Sequence, residues 1–120
     1  MTAPLRLILV EDEVLAAMMM EDLLQDLGCE VIASFGALDQ ALAWLAGQEE
    51  TPDGALLDVN LGGVMVFPLA EALAARAVPF AFATGYGALS DERFAGMPLL
   101  HKPVDIGKLA GVVQGFRQAA

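Results

Sequence analysis

The sequence predicts an α/β protein, a parallel sheet of five strands with helices on both faces. Two observations predict it. Short apolar runs of strand length alternate with stretches whose apolar residues recur at helical spacing, which is the pattern of successive βα units. Hydrophobic residues make up 57% of the chain, enough to cover a sheet on both sides. A length of 120 residues fits one domain with a sizeable core, and we read 1–120 as that single domain without an output domain.

The first strand is LRLILV, Leu5–Val10. In the helix after it Met20, Leu23, Leu24 and Leu27 form an i, i+3, i+4, i+7 stripe, and Gly28 is placed to stop it. EVIASF, Glu30–Phe35, is the second strand. Leu38, Ala41, Leu42 and Leu45 repeat the stripe up to Gly47. GALLDV, Gly54–Val59, is the third strand. A glycine loop follows, and then Pro68 marks a helix start ahead of Leu69, Ala72 and Leu73. PFAFAT is the fourth strand, and Ser90 with Asp91 and Glu92 is expected to cap a short fourth helix. PLLHK, Pro98–Lys102, is the fifth strand. Asp105 caps a last helix along Leu109, Val112, Val113 and Phe116.

Parallel strands joined by right-handed crossovers point one way, so their carboxyl ends share an edge, and ligands of such sheets bind there. Strand one ends in Glu11, Asp12 and Glu13. Strand three ends in Asp58, with Asn60 just beyond, strand four in Thr84 and strand five in Lys102. Each has an ordinary reading: Glu11 or Asp12 as a helix cap, Asp58 as a loop acid, Thr84 as a strand residue, Lys102 as a solvated lysine. Their convergence on one edge is what chance does not explain. Clustered carboxylates repel unless a hard cation lies between them, and Mg²⁺ takes such oxygen ligands. An aspartate can be a nucleophile toward phosphorus, while a lysine and a hydroxyl stabilise phosphoryl oxygens. The set therefore fits phosphoryl transfer to an aspartate.

The rest of the composition narrows the alternatives. A net charge of −10 repels phosphate backbones and argues against nucleic-acid binding, while suiting a divalent cation or a basic partner. The longest stretch without charged residues, Ala77 to Ser90, is shorter than a bilayer span and contains Pro79, Gly85 and Gly87. The start turns acidic too soon for a signal peptide. Cys29 is the only cysteine, so no internal disulfide forms, and a reducing cytoplasm is expected.

LILVEDE, LLDVN, FATG and HKP together resemble the signatures of two-component response-regulator receiver domains, and the resemblance covers the whole chain. It implies a flavodoxin-like (βα)5 sheet of strand order 2-1-3-4-5. It also implies Asp58 as phosphoacceptor, and Mg²⁺ held by Glu11, Asp12, Asp58 and the Asn60 main-chain carbonyl. Thr84 and Lys102 would bind the phosphoryl group, with Thr84 as switch. No enzyme activity is implied beyond self-directed phosphotransfer and autodephosphorylation. Output would run through protein contacts of the fourth helix, fifth strand and fifth helix.

Two departures stand out. Receivers carry an aromatic three residues before the lysine, where this chain has Leu99, and the loop after Asp58 lacks the family's common proline. With PFAFATGY these resemble the stand-alone PFxFATGG or PFxFATGY receivers of alphaproteobacteria, which work with HWE- or HisKA2-type sensor histidine kinases, some in the general stress response. Two readings of Tyr86 stay open, a moving ring that replaces the missing aromatic and a rim residue tuning water access. Two rivals to phosphorylation-switched output also stay open: a phosphate sink draining a shared kinase, and an interaction module independent of phosphorylation. Met18–Met20, His101, Trp44 and Cys29 are read as structural residues, with His101 turned away from Lys102 by strand alternation.

Overall fold

The computed structural model describes residues 3–85 and 91–119. Its main sheet has five parallel strands: β1 (Leu5–Val10), β2 (Cys29–Phe35), β3 (Gly54–Asp58), β6 (Phe80–Thr84) and β7 (Leu99–His101). Their order is β2-β1-β3-β6-β7, which in strands of the main sheet is 2-1-3-4-5. A two-stranded hairpin, β4 (Asn60–Leu61) with β5 (Val64–Met65), fills the loop read from sequence as glycine-rich coil.

All five residues of β3 are buried, because this central strand is covered on both faces. Strand alternation sends Ile8, Val10, Ala55, Leu57, Phe80 and Phe82 to one layer, against α2 (Leu38–Ala46) and α3 (Phe67–Ala75). Leu7, Leu9, Leu56, Ala81 and Ala83 face the other layer, against α1 (Val14–Asp26) and α4 (Ile106–Ala119). The first layer is aromatic: Phe67 meets Phe82 edge-on at 5.8 Å, and Phe94 stacks on Phe67 at 5.8 Å. Phe82 is completely buried, so truncating it to alanine should cost about 3–5 kcal/mol. Leu99 lies beside Phe82 in the β6–β7 register and packs into this same layer.

The helices stop and start where expected. α1 ends at Asp26 ahead of Gly28, whose φ of +80° suits a residue without a side chain. Pro68 lies in the first turn of α3, and the Asp105 carboxylate accepts the Gly107 N–H at 2.6 Å to open α4. Met20 is buried while Met18 and Met19 are exposed, and Trp44 packs on Phe35 with ring centroids 5.7 Å apart.

The fourth helix differs from expectation. Its described part is one 3₁₀ turn, Glu92–Phe94, and its cap is Asp91, which accepts the Arg93 N–H at 3.0 Å. Gly96 and Pro98 follow at once, and neither supports a longer helix. Ser90 lies outside the described residues, as does Tyr86. Among the described residues, no helix is long and apolar enough to cross a membrane.

Candidate functional site

Parallel register carries the predicted residues to one edge. The Glu11 N–H, just past β1, donates to the Phe35 carbonyl at 2.9 Å. Asp58 closes β3 opposite Ala83, and the Thr84 carbonyl at the end of β6 accepts the Lys102 N–H at 2.9 Å. Asp12, Glu13, Asp58, Asn60, Gly62, Gly63, Thr84, Gly85 and Lys102 line one pocket of about 410 Å³. Glu11, Asp12 and Asp58 each bring a carboxylate oxygen to within 4.8 Å of the others.

Glu11 and Asp58 are buried, at 8% and 9% exposure, whereas Asp12 faces solvent. The Lys102 ammonium is bonded to Glu11 Oε1 and stands 3.4 Å from Asp58 Oδ2. The Glu13 main-chain N–H donates to Glu11 Oε2 at 3.2 Å, and the Asn60 N–H reaches Asp58 Oδ1 at 3.4 Å. Burial alone would raise the Glu11 carboxyl, but its bonds to Lys102, Asp58 and the Glu13 N–H together outweigh that and hold it below the usual carboxylate range. Burial pushes the Asp58 carboxyl up to about 7, and the neighbouring Glu11 charge adds to the push. Burial works against the Lys102 charge too, yet the bond to Glu11 and the charges of Asp58 and Glu11 together hold the ammonium above its ordinary value.

The site thus holds three carboxylates against one ammonium, with Asp58 the least compensated. Oxygen donors at this spacing suit a hard divalent cation, which would relieve their repulsion. His101 is exposed and lies off the pocket, as its strand position implies. Two contributors were missed in the sequence reading. The main-chain N–H of Glu13 helps hold Glu11, and Gly62 and Gly63 form part of the pocket wall. A Gly-Gly pair between short apolar flanks was the available signal for the second.

The profile of the response regulator receiver domain matches residues 7–114. The chain belongs to that family. It is therefore a receiver domain of two-component signalling, and its fold is that of solved receivers. It is similar to SdrG from Sphingomonas melonis Fr1, at 39% identity over 98% of this chain and 99% of that one, with a TM-score of 0.80. The BeF3-activated conformation of SdrG from Pseudomonas melonis Fr1 matches at 41% identity over 95% and 97%, with a TM-score of 0.77. The PhyR response regulator REC domain of Erythrobacter litoralis matches at 25% identity over 97% and 92%, with a TM-score of 0.83. No curated protein matches the sequence.

Proposed function

We propose that this receiver acts as a stand-alone cytoplasmic response regulator, accepting a phosphoryl group on Asp58 from a sensor histidine kinase and changing its protein contacts in response. One observation carries the reading. The three carboxylates lie within 4.8 Å at neighbouring strand ends, with the Lys102 ammonium 3.4 Å from Asp58.

Glu11, Asp12, Asp58 and the Asn60 carbonyl would hold Mg²⁺, which when bound supplies positive charge to the phosphoryl oxygens. Asp58 is the nucleophile. Its carboxylate oxygen bonds to phosphorus as the P–N bond of the kinase phosphohistidine breaks, and the departing imidazole keeps that electron pair. The product is an acyl phosphate. Lys102 pairs with one phosphoryl oxygen and the Thr84 hydroxyl hydrogen-bonds another, drawing the end of β6 toward Asp58. Water later attacks the acyl phosphate and resets the site, so the chain turns over no external substrate.

Exposed apolar side chains bear on the partner. Among the described residues, Val14, Leu15, Met18 and Met19 of α1, Val64 and Met65 of the hairpin, and Ile106 of α4 are exposed, all at or near the carboxyl edge. This apolar collar supports kinase docking over the pocket, and leaves β7 with α4 to a downstream protein. The PFAFATGY resemblance, with the likeness to SdrG and to the PhyR domain, supports a general stress response role and an HWE- or HisKA2-type kinase.

The test is intact-mass spectrometry after incubation with Mg²⁺ and acetyl phosphate, alongside Asp58→Asn and a chelated sample. One added phosphoryl group, absent from both controls, is the expected result. An adduct retained in Asp58→Asn would overturn the assignment of the nucleophile.

A further inference from the structure

The loop after Asp58 is a hairpin whose turn is closed by a side chain. Asn60 pairs with Met65 and Leu61 with Val64, leaving Gly62 and Gly63 as a two-residue turn. Their φ values are +64° and +99°, the combination of a type I′ turn, so both positions favour glycine. The Asn60 side-chain Oδ1 accepts the Gly63 N–H at 2.6 Å. Leu61 is buried in the core, and at the root the Val66 N–H donates to the Val59 carbonyl at 3.0 Å. The turn reaches the far side of the pocket, where a Cβ on Gly62 would lie 3.7 Å from Asp12 Oδ2.

A ladder of two residue pairs is marginal by itself, so one bond across the turn matters. We propose that Asn60 is a positioning residue, its side-chain oxygen latching the Gly62–Gly63 turn so that the hairpin keeps the Asn60 main chain and the wall beside Asp12 in place for a divalent cation. The amide acts on the pocket through the hairpin, since its oxygen is engaged by Gly63. This rests on the reading of the pocket as a cation site.

The experiment follows amide hydrogen exchange by NMR and titrates Mg²⁺ into the full chain without a phosphodonor. Asn60→Ala is expected to speed exchange at Gly63 about tenfold and to weaken Mg²⁺ binding about tenfold. Asn60→Asp keeps an acceptor oxygen and should keep Gly63 exchange slow. Gly63→Ala, strained at that φ, should weaken Mg²⁺ comparably, and the double variant should be no weaker than either single one. Unchanged Gly63 exchange in Asn60→Ala would overturn the latch, as would Mg²⁺ losses that multiply in the double variant. Phosphoryl uptake reports separately on Asp58. A wild-type chain that shows the latch and binds Mg²⁺ but takes up no phosphoryl group would support the latch and remove the phosphoacceptor reading.

Discussion

β1 and β3 lie side by side, and a buried carboxylate stands at the end of each. Glu11 and Asp58 differ by one percentage point in exposure, 8% against 9%, yet their acidities move in opposite directions. Burial opposes the charge on both. Glu11 overcomes it because the Lys102 ammonium is bonded to Oε1, with further hydrogen bonds from Asp58 and from the Glu13 N–H to Oε2. Asp58 has Lys102 only at 3.4 Å, and the negative Glu11 beside it works against ionisation. What separates the two is the sharing of one cation between two carboxylates. Asp58 is left as the group most in need of added positive charge, which is the condition a metal-assisted phosphoacceptor requires.

Removing the shared cation should have the largest effect. Lys102→Met leaves Glu11 buried and unpaired, and should destabilise the fold by about 3 kcal/mol at pH 7. The folded pKa of Glu11 is lowered, so its stabilising contribution is present above its unfolded pKa and lost as pH falls through the folded one. The penalty of the variant should therefore shrink as pH falls through the range in which Glu11 takes up its proton. Urea denaturation at pH 7 and at pH 4 measures both. Equal stability of variant and wild type at pH 7 would break the contrast.

Asp58→Asn comes next and acts in the opposite direction. A carboxyl raised to about 7 in the folded state contributes stability below its unfolded pKa, and that contribution is lost as pH rises through the folded value. Deleting the charge should stabilise the metal-free protein by about 1–2 kcal/mol at pH 8 and by nothing near pH 4. Thermal melts across that range would show it. A Mg²⁺ ion should stabilise the wild type by about 1 kcal/mol at five times its dissociation constant, with the effect growing from pH 5 to pH 8. Asp58→Asn should lose most of that gain. A Mg²⁺ shift as large in Asp58→Asn as in wild type would show that Asp58 is not the undercompensated group.

The placement of these groups was legible in the sequence because strand period and crossover handedness are local rules. They send Glu11, Asp58, Thr84 and Lys102 to one edge whatever the packing. Which carboxylate would capture Lys102 was not legible, since Glu11 and Asp58 lie 91 and 44 residues from it and ångström distances decide the outcome. The hairpin was also missed. Asn60–Leu61 and Val64–Met65 are too short for a period of two to emerge, although Gly62-Gly63 marks the turn. At the fourth helix Asp91 carries a true capping signal, but the sequence behind it, Arg93 to Pro98, sustains a single turn. A cap fixes where a helix starts and says nothing of how far it runs.

Asp12 sharpens the contrast with the smallest stability effect. It belongs to the same carboxylate group but faces solvent, where water rather than Lys102 compensates its charge. Asp12→Asn should change stability by less than about 0.5 kcal/mol, as is usual for exposed charges. It also removes the weakest of the influences raising Asp58, so the Asp58 carboxyl should shift slightly downward, which NMR titration of its carboxyl carbon would follow. Mg²⁺ binding should nevertheless fall about tenfold or more, because one of the three carboxylates proposed to hold the ion loses its charge. A variant that folds as before yet binds Mg²⁺ poorly would separate the two duties of the cluster. On that outcome the Lys102–Glu11 pair would carry its stability, and Asp12 would serve the proposed cation alone. A loss of stability as large as that of Lys102→Met would instead mean that Asp12, despite its exposure, belongs to the buried charge balance.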